Sequence, residues 1–383
     1  MKQVHFSLLL GAILVAAMLL AACTPIPLTP TSPEGTVPSS EEGASPTASK
    51  VEPIKWDVQS VWPSGFLCHV LCNRTFEKID RASAGRLQIT YHPAGAIVPA
   101  SEGLDAVSSG ALDGSTTAIC MQFGKNPAAM FFDKYPAGPN TYELYVWLYE
   151  AGGMELWQEL YDSLGYKTHV VGPMGSNGAE SFGWFDEPIT SLNDFQGLKF
   201  RTQGIWGDVL STLGVSVSNL PGGEVYEAAQ RGVIDAFEFA TPAVDLSAGF
   251  WEIKKVLMEP GIHAPTSLDD LTVNRDSWNE LPDDLQSIVE LGAQAGALGR
   301  LTATDYADLQ ALVVLKEKGI AVESLPDEVI DEIVVIANEM WDEMAKKDAF
   351  FAKCLTSQRD FLRQFRAMQQ VKEPDTRMMS WPR

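Results

Sequence analysis

The chain has 383 residues, of which 45% are hydrophobic and 20% are charged, and it contains 17 Phe, 10 Trp and 9 Tyr. This composition excludes a wholly disordered chain, and the length favours two lobes with appendages over a single core. Asp and Glu outnumber Lys and Arg by 50 to 28, which gives a net charge of −22. We therefore expect no nucleic-acid partner, and an anionic ligand would need a local cationic group.

The N-terminal segment predicts export from the cytoplasm. Lys2 is followed by an almost wholly apolar stretch over 6–22, too short for a comfortable membrane span, and Leu-Ala-Ala-Cys ends at Cys23. Residues 1–22 resemble a bacterial lipoprotein signal peptide. The resemblance implies cleavage before Cys23, lipidation of its sulfur, and an extracytoplasmic protein anchored to the cell membrane by lipid. A plain transmembrane anchor is the alternative.

A linker follows this cysteine. Pro, Ser and Thr fill 16 of the 27 positions over 24–50. Such a composition cannot form a core and is typical of a flexible, semi-extended tether. We expect the lipid-anchored cysteine and its linker to occupy 23–50, and the fold to begin near Val51.

The remaining cysteines allow three alternatives. They lie at positions 68, 72, 120 and 354. Outside the cytoplasm a disulfide is permitted, so Cys68 or Cys72 could pair, for example with Cys120. His69 between the first two suggests a metal site, although two thiols and a histidine on different helix faces are poor ligands for one ion. Free buried thiols are the third alternative.

The start of the folded part predicts a β-α-β unit. Residues 54–61 (IKWDVQSV) have the pattern of a strand, a helix follows from Pro63 to about Ala84, and Gly85 ends it. Residues 85–95 alternate apolar and polar side chains, which is the period of a second strand. This order predicts the α/β class, with a mostly parallel sheet and helices outside it.

An internal repeat predicts a second unit of the same kind. Segments 101–115 and 223–237 share a pattern in which each residue of the second copy lies 122 positions after its counterpart, as for Gly110 and Gly232 or Asp113 and Asp235. In each copy a short helix ends at the glycine and a strand follows. Chance similarity is the alternative to two similarly built α/β lobes.

The C-terminal part predicts long helices. Pro282 begins a helix that we expect to end near Gly296, and apolar residues three and four apart indicate further helices over 330–344 and 355–372. A terminal helix with such a stripe either packs on its own domain or contacts a second subunit in a homodimer. We assign 301–383 to C-terminal helices and regard them as a candidate dimerisation element.

Four stretches resemble the solute-binding proteins of tripartite ATP-independent periplasmic (TRAP) transporters, the DctP-type family, and particularly its branch for 2-oxo and 2-hydroxy monocarboxylates. They are HPAGAIVPASEGLDAVSSGALD at 92–113, YEAGGMELWQELYDSLGY at 149–166, NGAESFGWFDEPITSLNDFQGLKFRTQG at 177–204 and PGGEVYEAAQRGVIDAFEF at 221–239. The resemblance implies a two-lobed fold like that of type II periplasmic binding proteins, with the ligand cleft between the lobes. Lobe I is expected over 51–169 and about 258–300, and lobe II over 170–257.

The resemblance also implies the binding residues. Arg201, in GLKFR, matches the arginine that holds the substrate carboxylate, and a guanidinium offers a planar pair of donors for that purpose. Glu180 and Glu238, with the backbone carbonyl of Phe239, match the positions that hold a metal ion beside the acid. Position 180 is usually Gln in this branch, so a second carboxylate favours Ca²⁺ over Na⁺.

Other candidates have a weaker signal. Gln122 follows a predicted strand, Asn140 lies in PAGPN, and Trp206 could form an apolar wall for the ligand, whereas Trp184 is more simply a core residue. After residue 261 the chain has IHAPTS where the branch often has a tryptophan-rich stretch. His263 there either contacts the ligand or caps the loop. This departure allows an acid larger than pyruvate or lactate.

These features predict an extracytoplasmic solute-binding protein, rather than an enzyme, that delivers a small organic acid to the membrane permease of a TRAP transporter. Closure of the lobes would remove the ligand from water. One alternative is a hydrolase that uses Glu180 and Glu238 as acid and base, although the chain has no G-x-S-x-G or H-E-x-x-H motif. Another is a ligand-sensing subunit of a membrane receptor.

Overall fold

The structure, a computed structural model, describes residues 52–372. The predicted signal peptide, Cys23 and the linker lie outside the described residues, as do positions 373–383. Within 52–372, no helix combines the length and the apolar character needed to cross a membrane.

The first sheet has five strands: β1 (Ile54–Ser60), β2 (Leu87–His92), β3 (Gly114–Thr117), β4 (Thr168–Ser176) and β10 (Leu268–Asn274). Their order in the sheet is β2-β1-β3-β10-β4. Strand β1 is parallel to both neighbours, and α1 (Leu67–Ala82) connects it to β2, which confirms the predicted β-α-β unit. Strand β10, which follows the return of the chain from the second sheet, is antiparallel to β3 and β4.

The second sheet has six strands: β5 (Gly183–Phe185), β6 (Lys199–Arg201), β7 (Ser216–Ser218), β8 (Ala236–Phe237), β9 (Val256–Glu259) and β11 (Ala321–Ser324). Their order is β11-β9-β5-β8-β6-β7. Strand β6 is parallel to β7 and β8, whereas β5 is antiparallel to β8 and β9. We call the first sheet and its helices lobe I, and the second sheet and its helices lobe II.

The chain leaves lobe I between β4 and β5 and returns between β9 and β10. The first crossing falls after Ser176 and not at residue 170, because β4 pairs with β10 along its whole length. The return falls between Glu259 and Leu268. Strand β11 also interrupts the region that was assigned to C-terminal helices, since it adds an edge strand to lobe II.

Helices cover both sheets. After α1 they are α2 (Gly103–Ser109), α3 (Thr141–Glu150), α4 (Gly153–Ser163), α5 (Trp206–Thr212), α6 (Val225–Gln230), α7 (Pro242–Ser247), α8 (Arg275–Asn279), α9 (Asp283–Glu317), α10 (Asp327–Ala345) and α11 (Ala349–Lys372). Together with the two sheets they form the predicted two-lobed α/β fold.

Helix α9 runs for 35 residues and does not end near Gly296, so that prediction was wrong. Gly296 lies inside the helix at a close approach to lobe I. A Cβ atom there would lie 2.7 Å from Cγ2 of Thr75 and 3.0 Å from the carbonyl oxygen of Met174. The glycine therefore lets α9 approach α1 and β4 closely, and it does not mark a helix end.

Both copies of the repeat have the predicted helix–glycine–strand form. Helix α2 is followed by Gly110 at φ 79° and then by β3, and α6 is followed by Gly232 at φ 69° and then by β8. Glycine adopts this left-handed conformation without steric cost. Each lobe thus contains one copy of the unit.

The C-terminal helices pack on their own chain. The hydroxyl group of Tyr135 donates to the side-chain oxygen of Gln358 in α11. Farther along α11, Arg366 Nε donates to Glu143 Oε1 at 2.7 Å. Of the two alternatives for the terminal helix, these contacts favour packing on its own domain.

The described cysteines are free: Cys68, Cys72, Cys120 and Cys354. Of the three alternatives, the structure agrees with free thiols, which are buried at each of these positions except Cys120. Cys72 Sγ lies 3.6 Å from Nη1 of the buried Arg300, and Cys68 Sγ lies 3.6 Å from Oδ1 of Asn177. His69 stacks on another ring instead of joining these thiols at a metal site.

Candidate functional site

A cavity of about 790 Å³ lies between the two lobes. Segments that follow β1 and β3 in lobe I, and β6 and β8 in lobe II, line it. Ligand-binding side chains are expected at such strand ends because the carboxyl ends of parallel strands meet at one edge of a sheet. The lining includes apolar rings and a group of ionisable side chains: Trp62, Phe66, Trp206, Phe239 and Phe250, and Lys134, Glu180, Arg201, Glu238, His263 and Asp269.

Arg201, at the end of β6, is buried and held by backbone oxygens. Its Nε donates to the carbonyl oxygen of Leu220 at 3.0 Å, and its Nη1 donates to that of Glu238 at 3.0 Å. The guanidinium also lies 5.8 Å from the centre of the Phe239 ring. These bonds run through Nε and Nη1, so the fixed guanidinium can offer Nη2 to a ligand.

Glu238 follows β8 directly and lies beside Arg201. Its Oε1 lies 3.4 Å from Arg201 Nη1 and accepts a hydrogen bond from the backbone N–H of Gln203 at 3.2 Å. Burial raises the pKa of Glu238, but the neighbouring positive charges, above all that of Arg201, outweigh burial and lower it. Glu238 therefore remains a carboxylate in the cavity.

Glu180 precedes β5 and reaches the same place. Its Oε1 accepts a hydrogen bond from the ammonium group of Lys134. Its Oε2 is buried without a hydrogen-bond partner among the described residues and lies 3.8 Å from Nε2 of His263. Burial raises the pKa of Glu180 to about 7, although the charge of Lys134 opposes this rise.

Lys134 is a site residue that the sequence analysis missed. It lies two positions after a short 3₁₀ turn over Pro127–Phe132 and lines the cavity, with its side chain 24% exposed. Burial would lower the pKa of its ammonium group, but Glu180 and Asp133 raise it above the usual value. A charged pair directly after two phenylalanines, in FFDKYP, is the signal that could have revealed Lys134.

His263 lies in the segment that departs from the family pattern, and it is buried in the cavity wall. Its ring stacks on Trp206 with centroids 5.5 Å apart and meets Phe182 edge-on at 6.0 Å. Burial lowers the pKa of His263 to about 4, so the imidazole is neutral at pH 7. Neither ring nitrogen has a hydrogen-bond partner among the described residues, so His263 does not cap its loop.

Glu180, Glu238 and His263 bring potential metal ligands together. One ligand atom from each lies within 4.8 Å of the other two, and all three side chains are buried. The buried Oε2 of Glu180 and the ring nitrogens of His263 lack partners, as expected for groups that bind an ion. This donor set fits a metal ion.

Some of the other predicted ligand contacts line the cavity and some do not. Trp206 and Phe239 line the cavity, whereas Trp184 is a core residue whose Nε1 donates to Asp245. Asn140 and Gln122, which were predicted to contact the ligand, do not belong to its lining.

Asn140 has a structural task that explains its position. Its side chain accepts a hydrogen bond from the backbone N–H of Glu143 at 2.9 Å, and the Glu143 side chain accepts one from the Asn140 N–H, which forms a capping box on α3. Gln122 is buried beside Tyr166, whose hydroxyl donates to Gln122 Oε1 at 3.1 Å.

The fold and the cavity define a two-lobed solute-binding protein. The sequence model of DctP, "Bacterial extracellular solute-binding protein, family 7", matches residues 59–348. The chain therefore belongs to this family, whose members bind substrates and are not enzymes. The family places the protein outside the cytoplasm.

Relatives of known ligand are similar over most of the chain. The monocarboxylate 2-oxoacid-binding periplasmic protein of Nostoc sp. is 33% identical over 84% of this chain and 87% of its own. The TRAP solute-binding protein of Colwellia psychrerythraea, solved with calcium and pyruvate, is 32% identical, with a TM-score of 0.79 over 84% of this chain and 98% of its own. That of Pseudoalteromonas atlantica T6c, solved with sodium and pyruvate, is 30% identical, with a TM-score of 0.80 over 86% of this chain and 100% of its own.

Proposed function

We propose that this protein captures a small 2-oxo or 2-hydroxy monocarboxylate outside the cytoplasm and delivers it to the membrane permease of a TRAP transporter. The observation that carries the proposal is the buried Arg201, whose guanidinium is fixed by backbone oxygens and keeps free donors beside a buried pair of carboxylates. A carboxylate is the group that such donors bind best. The Nostoc, Colwellia and Pseudoalteromonas relatives, named for or solved with acids of this kind, support the choice.

A metal ion bound beside the acid completes the proposed site. Glu180, Glu238 and the backbone carbonyl of Phe239 would hold it, and the ion would supply positive charge for the carboxylate and the 2-oxygen of the ligand. Oxygen donors suit a hard cation, so Ca²⁺ is favoured and Na⁺ is the alternative. The relatives solved with calcium or sodium are consistent with both ions.

The cavity leaves room for a ligand larger than pyruvate. Its volume is about 790 Å³, and Trp62, Phe66, Trp206 and Phe239 contribute aromatic surface to its lining. An apolar tail on the acid would bury surface against these rings. The chain length of the acid is therefore part of the test below.

The test is thermal unfolding of the mature domain, stripped of metal, with 2-oxo acids of increasing length, 2-hydroxy acids, dicarboxylates and sugars, each with Ca²⁺, with Na⁺ or with neither. A ligand at about 100 times its Kd should stabilise the domain by roughly 2.7 kcal/mol. We expect stabilisation by monocarboxylates, and a larger one when the metal is present. Stabilisation by sugars alone, or by no ligand, would contradict the proposal.

The same assay separates the alternatives. A hydrolase that used Glu180 and Glu238 would convert its ligand, whereas a binding protein returns the ligand unchanged after denaturation, which mass spectrometry detects. A receptor subunit shares the binding chemistry, and the membrane genes beside this gene distinguish it from a transporter component.

We also propose that the mature protein is anchored to the membrane through a lipid on Cys23. The lipoprotein-like signal sequence supports this proposal. Labelling with a fatty acid in cells, compared with a Cys23→Ser variant, tests it. Loss of the label and release of the variant from membranes are expected, and equal labelling of both would overturn the proposal.

We further propose that two copies associate through α9. Leu291, Leu298 and Leu309 are 66%, 61% and 61% exposed and lie on one face of this helix, since they are spaced two and three turns apart. Each copy carries a net charge of −22, and the same face presents the exposed Asp305 seven positions after Leu298, so the association must rest on burial of the three leucines.

A further inference from the structure

The ionisable groups of the cavity balance one another in charge. Lys134 pairs with Glu180, and Arg201 pairs with Glu238, so each carboxylate has one cation beside it. The second carboxylate, which by itself favours a divalent ion, is therefore already neutralised by a lysine of the same chain. A metal ion would therefore bind at a site whose net charge is near zero.

The two ion pairs differ in how firmly their cations are held. Arg201 donates to two backbone oxygens as well as to its carboxylate, so it stays in place whatever binds. Lys134 has one hydrogen-bond partner among the described residues, Glu180 Oε1, and its flexible side chain is partly exposed. The ammonium group can therefore leave the carboxylate, whereas the guanidinium cannot.

A metal ion bound by Glu180 competes with that ammonium group. Both cations need the same buried carboxylate. The ammonium group contacts Oε1, and Oε2 lies 3.8 Å from Nε2 of His263, so an ion held by Oε2 and Nε2 would lie within a few ångströms of the ammonium group unless that group moves away. Two like charges at such a separation repel strongly where water is excluded. The other carboxylate that lines the cavity, Asp269, is paired with the buried Arg300, so it does not neutralise the added positive charge.

We propose that Lys134 determines the metal affinity and selectivity of this site: its ammonium group is a tethered counter-ion of Glu180 that metal must displace. The inference rests on the metal-dependent function proposed above and adds a residue that weakens metal binding. Removing Lys134 should tighten calcium binding, and removing the charge of Glu180 should weaken it. Removing both should return the affinity to near that of the native site, because the net charge is again near zero.

The experiment is calorimetric titration of metal-stripped protein with CaCl₂ alone, at pH 8 and constant ionic strength, for the native protein and for Lys134→Met, Glu180→Gln and the double variant. We expect Lys134→Met to lower the calcium Kd by about ten-fold or more, and Glu180→Gln to raise it by a similar factor. Lys125→Met is the matched control, because Lys125 is 47% exposed and pairs with Asp105. Its calcium Kd should equal that of the native protein.

The double variant keeps the inference testable if Lys134→Met folds poorly, because it carries no unpaired buried charge. A native-like Kd in the double variant together with weak binding in Glu180→Gln supports the inference. Three results would overturn the inference. The calcium Kd could be the same in Lys134→Met and in the native protein, or neither protein could bind calcium. The double variant could also bind calcium as weakly as Glu180→Gln. The unfolding assay with acids decides the proposed function separately, since it requires stabilisation by an acid and not a change in calcium affinity.

Discussion

Asp113 and Asp235 make the same pair of hydrogen bonds in the two lobes. Asp113 Oδ2 accepts from the backbone N–H of Asp57 at 2.8 Å, and the Asp113 N–H donates to the Asp57 carbonyl at 3.0 Å. Asp235 Oδ2 accepts from the backbone N–H of Lys199 at 3.0 Å, and its N–H donates to the Lys199 carbonyl at 2.7 Å. Each aspartate thus joins the start of its strand, β3 or β8, to the neighbouring parallel strand, β1 or β6.

Replacing either aspartate should destabilise the protein. Asp113→Ala and Asp235→Ala each remove the acceptor of one strand N–H, so we expect each to lower the free energy of unfolding by about 1 kcal/mol. The loss should be larger for Asp113, whose Oδ1 also accepts from the Ser277 hydroxyl at 2.8 Å. Urea unfolding measures both changes, with the exposed Glu227→Ala as control. An unchanged free energy of unfolding in both variants would show that these hydrogen bonds do not stabilise the fold.

Replacing Arg201 by lysine should weaken acid binding even though the charge is kept. Lysine cannot bind the two backbone oxygens and a carboxylate with one planar group, so we expect the Kd for pyruvate, or for the best acid of the panel, to rise by about ten-fold or more. Isothermal titration calorimetry measures this Kd. Arg231→Lys, at a 71% exposed arginine, is the control. Equal affinity of Arg201→Lys and native protein would contradict the assigned role of Arg201.

Asp270 should make stability depend on pH. Burial raises its pKa to about 8, against 3.8 for the ordinary group, although a hydrogen bond from Thr272 opposes the rise. Between these values the folded state binds more protons than the unfolded state, so this group lowers the free energy of unfolding as pH rises from about 4 to 8. Asp270→Asn should be increasingly more stable than the native protein over that range.

The comparison requires urea unfolding at pH 5, 6, 7 and 8, with the exposed Asp276→Asn as control. A difference between Asp270→Asn and native protein that stays constant with pH would show that Asp270 is ionised in the folded state.

His263 should favour metals that accept nitrogen ligands. A neutral imidazole suits Zn²⁺ better than Ca²⁺. We expect His263→Gln to raise the Kd for Zn²⁺ by about ten-fold and the Kd for Ca²⁺ by much less. Calorimetric titration measures both. His169→Gln is the control, because His169 stacks on Trp278 in lobe I, with ring centroids 4.2 Å apart. An unchanged Kd for Zn²⁺ in His263→Gln would show that His263 contributes no ligand atom, and equal losses for the two metals would contradict the expected preference.

The α9 face should control the oligomeric state. Leu298→Glu puts a negative charge in the middle of the apolar face, so it should shift the protein to monomers. Sedimentation velocity of the mature domain measures the shift. Val233→Glu adds the same charge at another exposed position, where the side chain is 58% exposed, and should have no effect. A native protein that is monomeric at high concentration would contradict the proposed association.

Local patterns in the sequence predicted much of the fold. The β-α-β unit and the repeat were predictable because alternation and a helix-ending glycine are properties of neighbouring residues. The length of α9 was not, because Gly296 is explained by contacts with Thr75 and Met174, which lie far away in the sequence. The capping role of Asn140 was available, since Asn followed three residues later by Glu is a helix-start signal.

The candidate site was only partly predictable. The resemblance pointed to Arg201, Glu180 and Glu238, which the structure brings together in one cavity. Lys134 was missed because it pairs with a residue 46 positions away, and nothing local marks that pairing. The environment of His263 depends in the same way on aromatic rings from two other segments.

Helix α9 has a mechanical consequence for capture and release. Its middle is bound to lobe I, where Arg300 pairs with Asp269, and its later part is bound to lobe II, where Asp308 accepts from the backbone N–H of Ala243 at 2.8 Å. A continuous helix of about 50 Å resists bending. If both attachments persist when the cleft opens, the two turns between them must bend, and we expect the stiffness of the helix to limit how far the lobes separate.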